Sequence, residues 1–160
     1  MKSATVSELK KELEHLSPKE IAELTLRLAR FKKENKELLT FLIYESHDLP
    51  GYIRQVKEEM DHEFLTMNRD TLYLAKKSLR KILRITGKYV RYTGSKEAEV
   101  ELLIHFIGNI HRTNIPFRSG AVISNLYDTQ VKKIVKLIDL LDEDLQHDWR
   151  IELQKVTSGE

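Results

Sequence analysis

The sequence predicts an all-α fold, a helical bundle or a short array of stacked antiparallel helical hairpins with about seven or eight helices and no sheet. Three observations predict it. Apolar residues recur at spacings of three and four along almost the whole chain, as on a helix with one dry face. No run of four to eight residues alternates apolar and polar between turn signals, as a half-buried strand requires. Six Gly and three Pro in 160 residues leave few places where helices must break.

The elements follow in order. Thr5 and Glu8 are spaced as a capping box ahead of Leu9, Leu13 and Leu16. Ser17-Pro18-Lys19-Glu20 is a stronger start, with Ser at the cap, Pro first and Glu three residues on; the stripe Ile21, Leu24, Leu28, Phe31 follows. A third helix holds Leu38, Leu39, Leu42 and Ile43. "HDLPGY" (47–52) is the clearest break, and Ile53, Val56, Met60, Phe64 and Met67 resume the period after it. Leu72, Ala75, Leu79, Ile82, Thr86 and Val90 make the next stripe. "TGS" (93–95) reads as a loop with Ser95 as cap, Glu97 and Glu99 suit the following first turn, and Val100, Leu103, Ile107 and Ile110 line that helix. "HRTNIPFRSG" (111–120) reads as a second loop. Ile123, Tyr127, Val131, Ile134, Ile138 and Leu141 form a long stripe. Leu145, Trp149, Leu153 and Val156 form the last, capped by Asp142, with Trp149 as a core residue.

Length suits one domain over 1–160, with sub-layers at 1–47 and 52–156. The absence of Cys excludes disulfides, thiolate metal sites and cysteine nucleophiles. No apolar run approaches ~20 residues and the N-terminus has no apolar signal core, so the chain reads as soluble, cytoplasmic and not membrane-bound.

One segment stands out. Between Lys76 and Glu97 the chain carries cations and no acid, although its net charge is only +2. On a wheel at ~100° per residue, Arg69, Lys76, Lys77, Arg80, Lys81, Arg84, Lys88 and Arg91 fall in one arc and the apolar stripe in another. The phase holds across Gly87, which predicts one continuous helix. Lys76/Arg80, Lys77/Lys81, Arg80/Arg84 and Arg84/Lys88 are like-charge pairs, each opposing the helix by roughly 0.2–0.5 kcal/mol. Relief can come from inside, through the acids at 58–63, 97–101 and 139–148, or from an external polyanion. Lys77, Arg80, Lys81, Arg84, Lys88, Arg91 and Lys96 are therefore candidate polyanion or partner contacts, with Tyr73, Tyr89 and Tyr92 as candidate stacking residues.

A second candidate cluster is His105, Asn109, His111, Arg112, Asn114 and Arg118 around the loop at 111–120, for which a polar helix connection is the plainer reading. Glu12-x-x-His15, Glu59-x-x-His62 and Asp144-x-x-His147 match or approach the spacing of carboxylate-bridged di-metal bundles. His15 and His62 face away from their apolar stripes, which argues against ligands inside a bundle, and no metal or other cofactor is expected. "TGSK" lacks the upstream Gly and the preceding strand of a phosphate-binding loop. No nucleophile elbow occurs, and catalytic residues are not identified.

The runs "LYLAKKSLRKILRITGKYVRYTGSKEAEVELLIHF" (72–106), "ISNLYDTQVKKI" (123–134) and "LDEDLQHDW" (141–149) resemble a small uncharacterised family of all-helical bacterial proteins. The resemblance implies an all-α fold in a bacterial cytoplasm and carries no cofactor or catalytic residue to any position here. The resulting expectation is a non-enzymatic helical interaction or scaffold module with a protein partner or a further copy of itself. Nucleic-acid or polyanion binding by the basic helix 69–96 is the alternative, and a carboxylate–histidine metalloprotein a minor one.

Overall fold

The computed structural model describes residues 2–113 and 120–159; among them the chain forms eight α-helices and no strand. The helices are α1 (Val6–Leu13), α2 (Pro18–Phe31), α3 (Lys33–Thr40), α4 (Leu49–Thr66), α5 (Leu72–Thr93), α6 (Lys96–Arg112), α7 (Ala121–Ile138) and α8 (Glu143–Ser158). A π-helical turn, Phe41–Glu45, follows α3. The all-α expectation holds. No described helix is long and apolar enough to cross a membrane.

Local chemistry sets most helix starts. The Thr5 hydroxyl accepts from the Glu8 N–H at 3.3 Å, and the Thr5 N–H donates to the Glu8 carboxylate at 2.7 Å. Ser17 and Glu20 repeat this at 3.3 and 2.8 Å, with Pro18 in the first turn. Such caps satisfy backbone donors that the first turn leaves open, worth about 1 kcal/mol each. Asp48, Thr71 and Ser95 cap α4, α5 and α6 through Gly51, Leu74 and Ala98. Asp142 stands at the cap position of α8, but its side chain makes no capping bond.

Three boundaries differ from the sequence reading. Regular α-helix ends at Thr40, so Leu42 and Ile43 lie in the wider π turn. Pro50 and Gly51 belong to the first turn of α4, where a missing N–H costs nothing. His111 and Arg112 are helical, not loop. Basic side chains suit a helix C-terminus and leave no apolar mark for periodicity to detect there.

The chain divides into two compact units, Met1–Tyr44 and Glu45–Glu160. In the first, α2 packs on α3, and no residue of α1, α2 or α3 is buried. In the second, α6 packs against α4, α5, α7 and α8. Val100, Leu102, Phe106, Ile107 and Ile110 of α6 are fully buried. Phe106 meets Phe64 of α4 at 5.4 Å between ring centroids. Leu79 and Ile82 of α5, Ile134 and Ile138 of α7 and Leu153 of α8 complete this core.

Helix α5 runs through Gly87 without interruption and stops at Gly94, whose φ of 62° is left-handed and whose N–H bonds the Val90 carbonyl. A methyl group added at Gly87 would meet nothing within 4 Å. Gly87→Ala is expected to stabilise the protein by about 0.5–1 kcal/mol, and Gly94→Ala to destabilise it by about 1 kcal/mol, read from urea unfolding midpoints.

Candidate functional site

The dry side of α5 is set by Ala75, Leu79, Ile82, Thr86 and Val90, all buried. The opposite side carries the cations. Lys77, Arg80, Lys81, Arg84 and Arg91 are exposed, while Lys76 and Lys88 are half-buried. From Lys76 to Arg91 the row extends about 22 Å at the helical rise. Lys81 bonds Glu63 at 2.7 Å, and Lys88 lies 4.9 Å above the Tyr89 ring. Among the described residues, Lys76, Lys77, Arg80, Arg84 and Arg91 have no ion-pair partner. Lys96 is also exposed, but it opens α6 beyond the Gly94 turn and is not on the α5 face.

Several of the acids expected to neutralise this face, apart from Glu63, bond to groups other than its cations. Glu59 accepts from the Tyr89 hydroxyl at 2.9 Å, and Glu97 from the Trp149 indole at 3.1 Å. Glu99 pairs with Lys133, Glu101 with Lys57 at 2.6 Å, and Asp139 with Arg150 at 2.8 Å. The tyrosines divide in the same way. Tyr92 is buried and Tyr89 packs edge-on against Tyr52 and Tyr92, whereas Tyr73 is 72% exposed. On the wheel Tyr73 shares the direction of Arg91, in the middle of the cationic arc.

The second cluster assembles differently from its reading as a loop. His105, Gly108 and Arg112 of α6 line a groove of about 640 Å³ with Lys57 of α4 and Trp149, Glu152 and Val156 of α8. His111 also lines it, although its Nε2 is held 2.8 Å from the Tyr127 hydroxyl of α7. Asn109 is buried and does not line the groove; it reaches the cluster through Asp61 of α4. One Asp61 oxygen lies 2.6 Å from His105 Nε2 and accepts from the Asn109 amide at 2.7 Å. Arg118 and Asn114 lie outside the described residues. Trp149, expected in the core, is half-buried; it lines this groove and its indole N–H donates to Glu97 of α6.

The dyad has a defined proton arrangement. Burial raises the affinity of Asp61 for a proton, but hydrogen bonds from Asn109 and His105, with the charges of His105 and Arg112, outweigh it and hold the carboxyl below its ordinary 3.8. Burial is the largest influence on His105 and lowers it; Asp61 opposes, Lys57 and Arg112 reinforce, and the ring stays below its ordinary 6.5. At neutral pH the imidazole is therefore mainly neutral and the carboxylate can only accept. The proton sits on Nε2, and Nδ1 keeps a lone pair. A neutral imidazole with a fixed tautomer can accept a hydrogen bond or a proton from a molecule in the groove.

Sequence reasoning missed Asp61, Lys57, Gly108 and the role of Trp149. Asp61 is 44 residues from His105, and it looked like one more acid in the 58–63 cluster. A signal was present in α6 itself: Glu97, Glu101, His105 and Asn109 recur every four residues along a helix whose middle is mostly apolar. Among the described residues, no three His, Asp or Glu side chains gather where they could hold a metal ion.

His105 binds protons less readily when folded, so acidification favours the unfolded chain from about 6.5 downward, and stability is lost as pH falls through that window. Asp61 adds a further loss on falling below 3.8. The charged groups around the ring are Asp61, Lys57, Arg112, Glu101 and Glu152. His105→Gln keeps a donor for Asp61 and removes the titration. Its unfolding free energy, measured in urea, should fall less than the wild type's between about pH 7 and about pH 5.

No family model, no curated protein and no solved structure matches this chain.

Proposed function

We propose that the protein binds a single-stranded nucleic acid along the outer face of α5. The observation that carries this reading is that, among the described residues, the exposed cations Lys77, Arg80, Arg84 and Arg91 of one helix face make no ion pair, with the exposed ring of Tyr73 on the same face. Phosphates spaced along a strand suit a linear row of Lys and Arg, and unstacked bases suit an exposed aromatic ring. Duplex readers use recognisable groove-entering motifs, and none is present in this sequence.

Fluorescence anisotropy with a short labelled oligonucleotide tests the reading. Its log–log salt slope should be about −3, the value for roughly four neutralised phosphates of a single strand. Lys77→Glu with Arg84→Glu should weaken binding about tenfold or more and flatten that slope. Tyr73→Ala should cost about 1–3 kcal/mol. Salt-independent binding, unchanged affinity in the double variant, or equal competition by polyglutamate would count against a nucleic acid.

A second reading, a protein-interaction module, is favoured by the first unit. Leu9, Leu24, Leu28 and Phe31 keep 51%, 43%, 63% and 77% of their surface exposed. An apolar stripe left wet on amphipathic helices is a common mark of an interaction surface. A second copy offers the same leucine spacing, so a two-fold contact is its simplest partner. Sedimentation equilibrium should then give a concentration-dependent mass above 18.8 kDa that collapses in Leu28→Glu with Phe31→Glu. A strictly monomeric wild type would remove the self-association reading.

A further inference from the structure

The groove between α6 and α8 holds side chains that the nucleic-acid face does not use. We propose that it is a binding site for a small organic anion bearing a planar ring. The ring lies against Trp149, the acid group pairs with Arg112, and a hydroxyl or N–H of the ligand donates to His105 Nδ1.

Size is the first support. A volume of about 640 Å³ falls in the ordinary range for small-molecule sites, about 300–1,000 Å³. The second is a fixed platform. Trp149 is half-buried and its indole N–H is held by Glu97, so the ring offers a surface at little entropic cost. Ile104 and Val156 extend that apolar wall.

Charge selects the anion. Lys57 is paired with Glu101, and Glu152 with Lys155. Among the described residues Arg112 makes no ion pair, and its planar fork suits bidentate contact with a carboxylate or phosphate. Asp61 fixes His105 from behind and leaves Nδ1 as an acceptor. Gly108 keeps the floor open: a methyl group there would stand 3.7 Å from both the Arg112 guanidinium and Val156. Alanine would favour the helix by about 1 kcal/mol at this mid-helix position, and its methyl group would take up groove space beside Arg112 in ordinary van der Waals contact.

Trp149 is the single tryptophan, so its indole N–H gives one resonance in a proton–nitrogen correlation spectrum of the full chain. Titration with adenosine 5′-monophosphate and with 4-hydroxybenzoate should shift that resonance saturably for at least one of them. The active probe identifies whether phosphate or carboxylate is the preferred acid group. Adenosine, which lacks the acid group, should bind about tenfold more weakly than its monophosphate if the phosphate is read. Arg112→Gln should weaken the responding probe about tenfold or more. Gly108→Leu should abolish binding with the helical circular dichroism retained. If Gly108→Leu fails to fold, the exposed Arg112→Gln substitution still decides. No saturable shift with either acid, or an Arg112→Gln protein that titrates like the wild type, overturns the proposal.

Discussion

Helix α6 must be surrounded. It carries Leu102, Leu103, Ile104, Phe106, Ile107 and Ile110, all buried, and four other helices pack on it. A helix this apolar has no stable position at a surface, since each large side chain removed from water contributes about 1.5–3 kcal/mol. The polar residues it does carry are therefore confined to strips where neighbours can satisfy them. Glu97, Glu101, His105 and Asn109 form one such strip, answered by Trp149 of α8 and by Lys57 and Asp61 of α4. The groove is the outward edge of that strip, so the histidine dyad follows from how α6 is buried.

The same arrangement explains the charge on α5. Acids used to satisfy α6 and its neighbours are not available to the cations of α5, and of the expected neutralising groups Glu63 reaches Lys81. Four like-charge pairs cost the helix about 1–2 kcal/mol in total. Burial of Leu79, Ile82 and Val90 on its other side contributes roughly 5–9 kcal/mol, which is enough to hold the helix without neutralisation. Packing therefore tolerates an exposed cationic face.

The two units differ in how they satisfy the hydrophobic effect. In Glu45–Glu160 the stripes turn inward around α6, whereas the stripes of α1 and α2 remain substantially wet. Both show equally clear periodicity in sequence, because a three-and-four spacing records which residues share a face and not what covers that face.

The all-α class, the capping boxes at Thr5 and Ser17, the cap at Ser95 and the continuity of α5 through Gly87 were all legible from the amino-acid order. These features arise within one or two helical turns, where the chain interacts with itself over three or four residues. So was the cationic arc, since a wheel needs only the helical period. Asp61 with His105, Trp149 with Glu97 and Glu101 with Lys57 were not legible. Those partners are separated by 44 or more residues, and no local preference selects among 25 acids for each of them. Whether a charge is neutralised, and whether a tryptophan is core or groove wall, depends on which helices become neighbours, and that is settled by packing around α6.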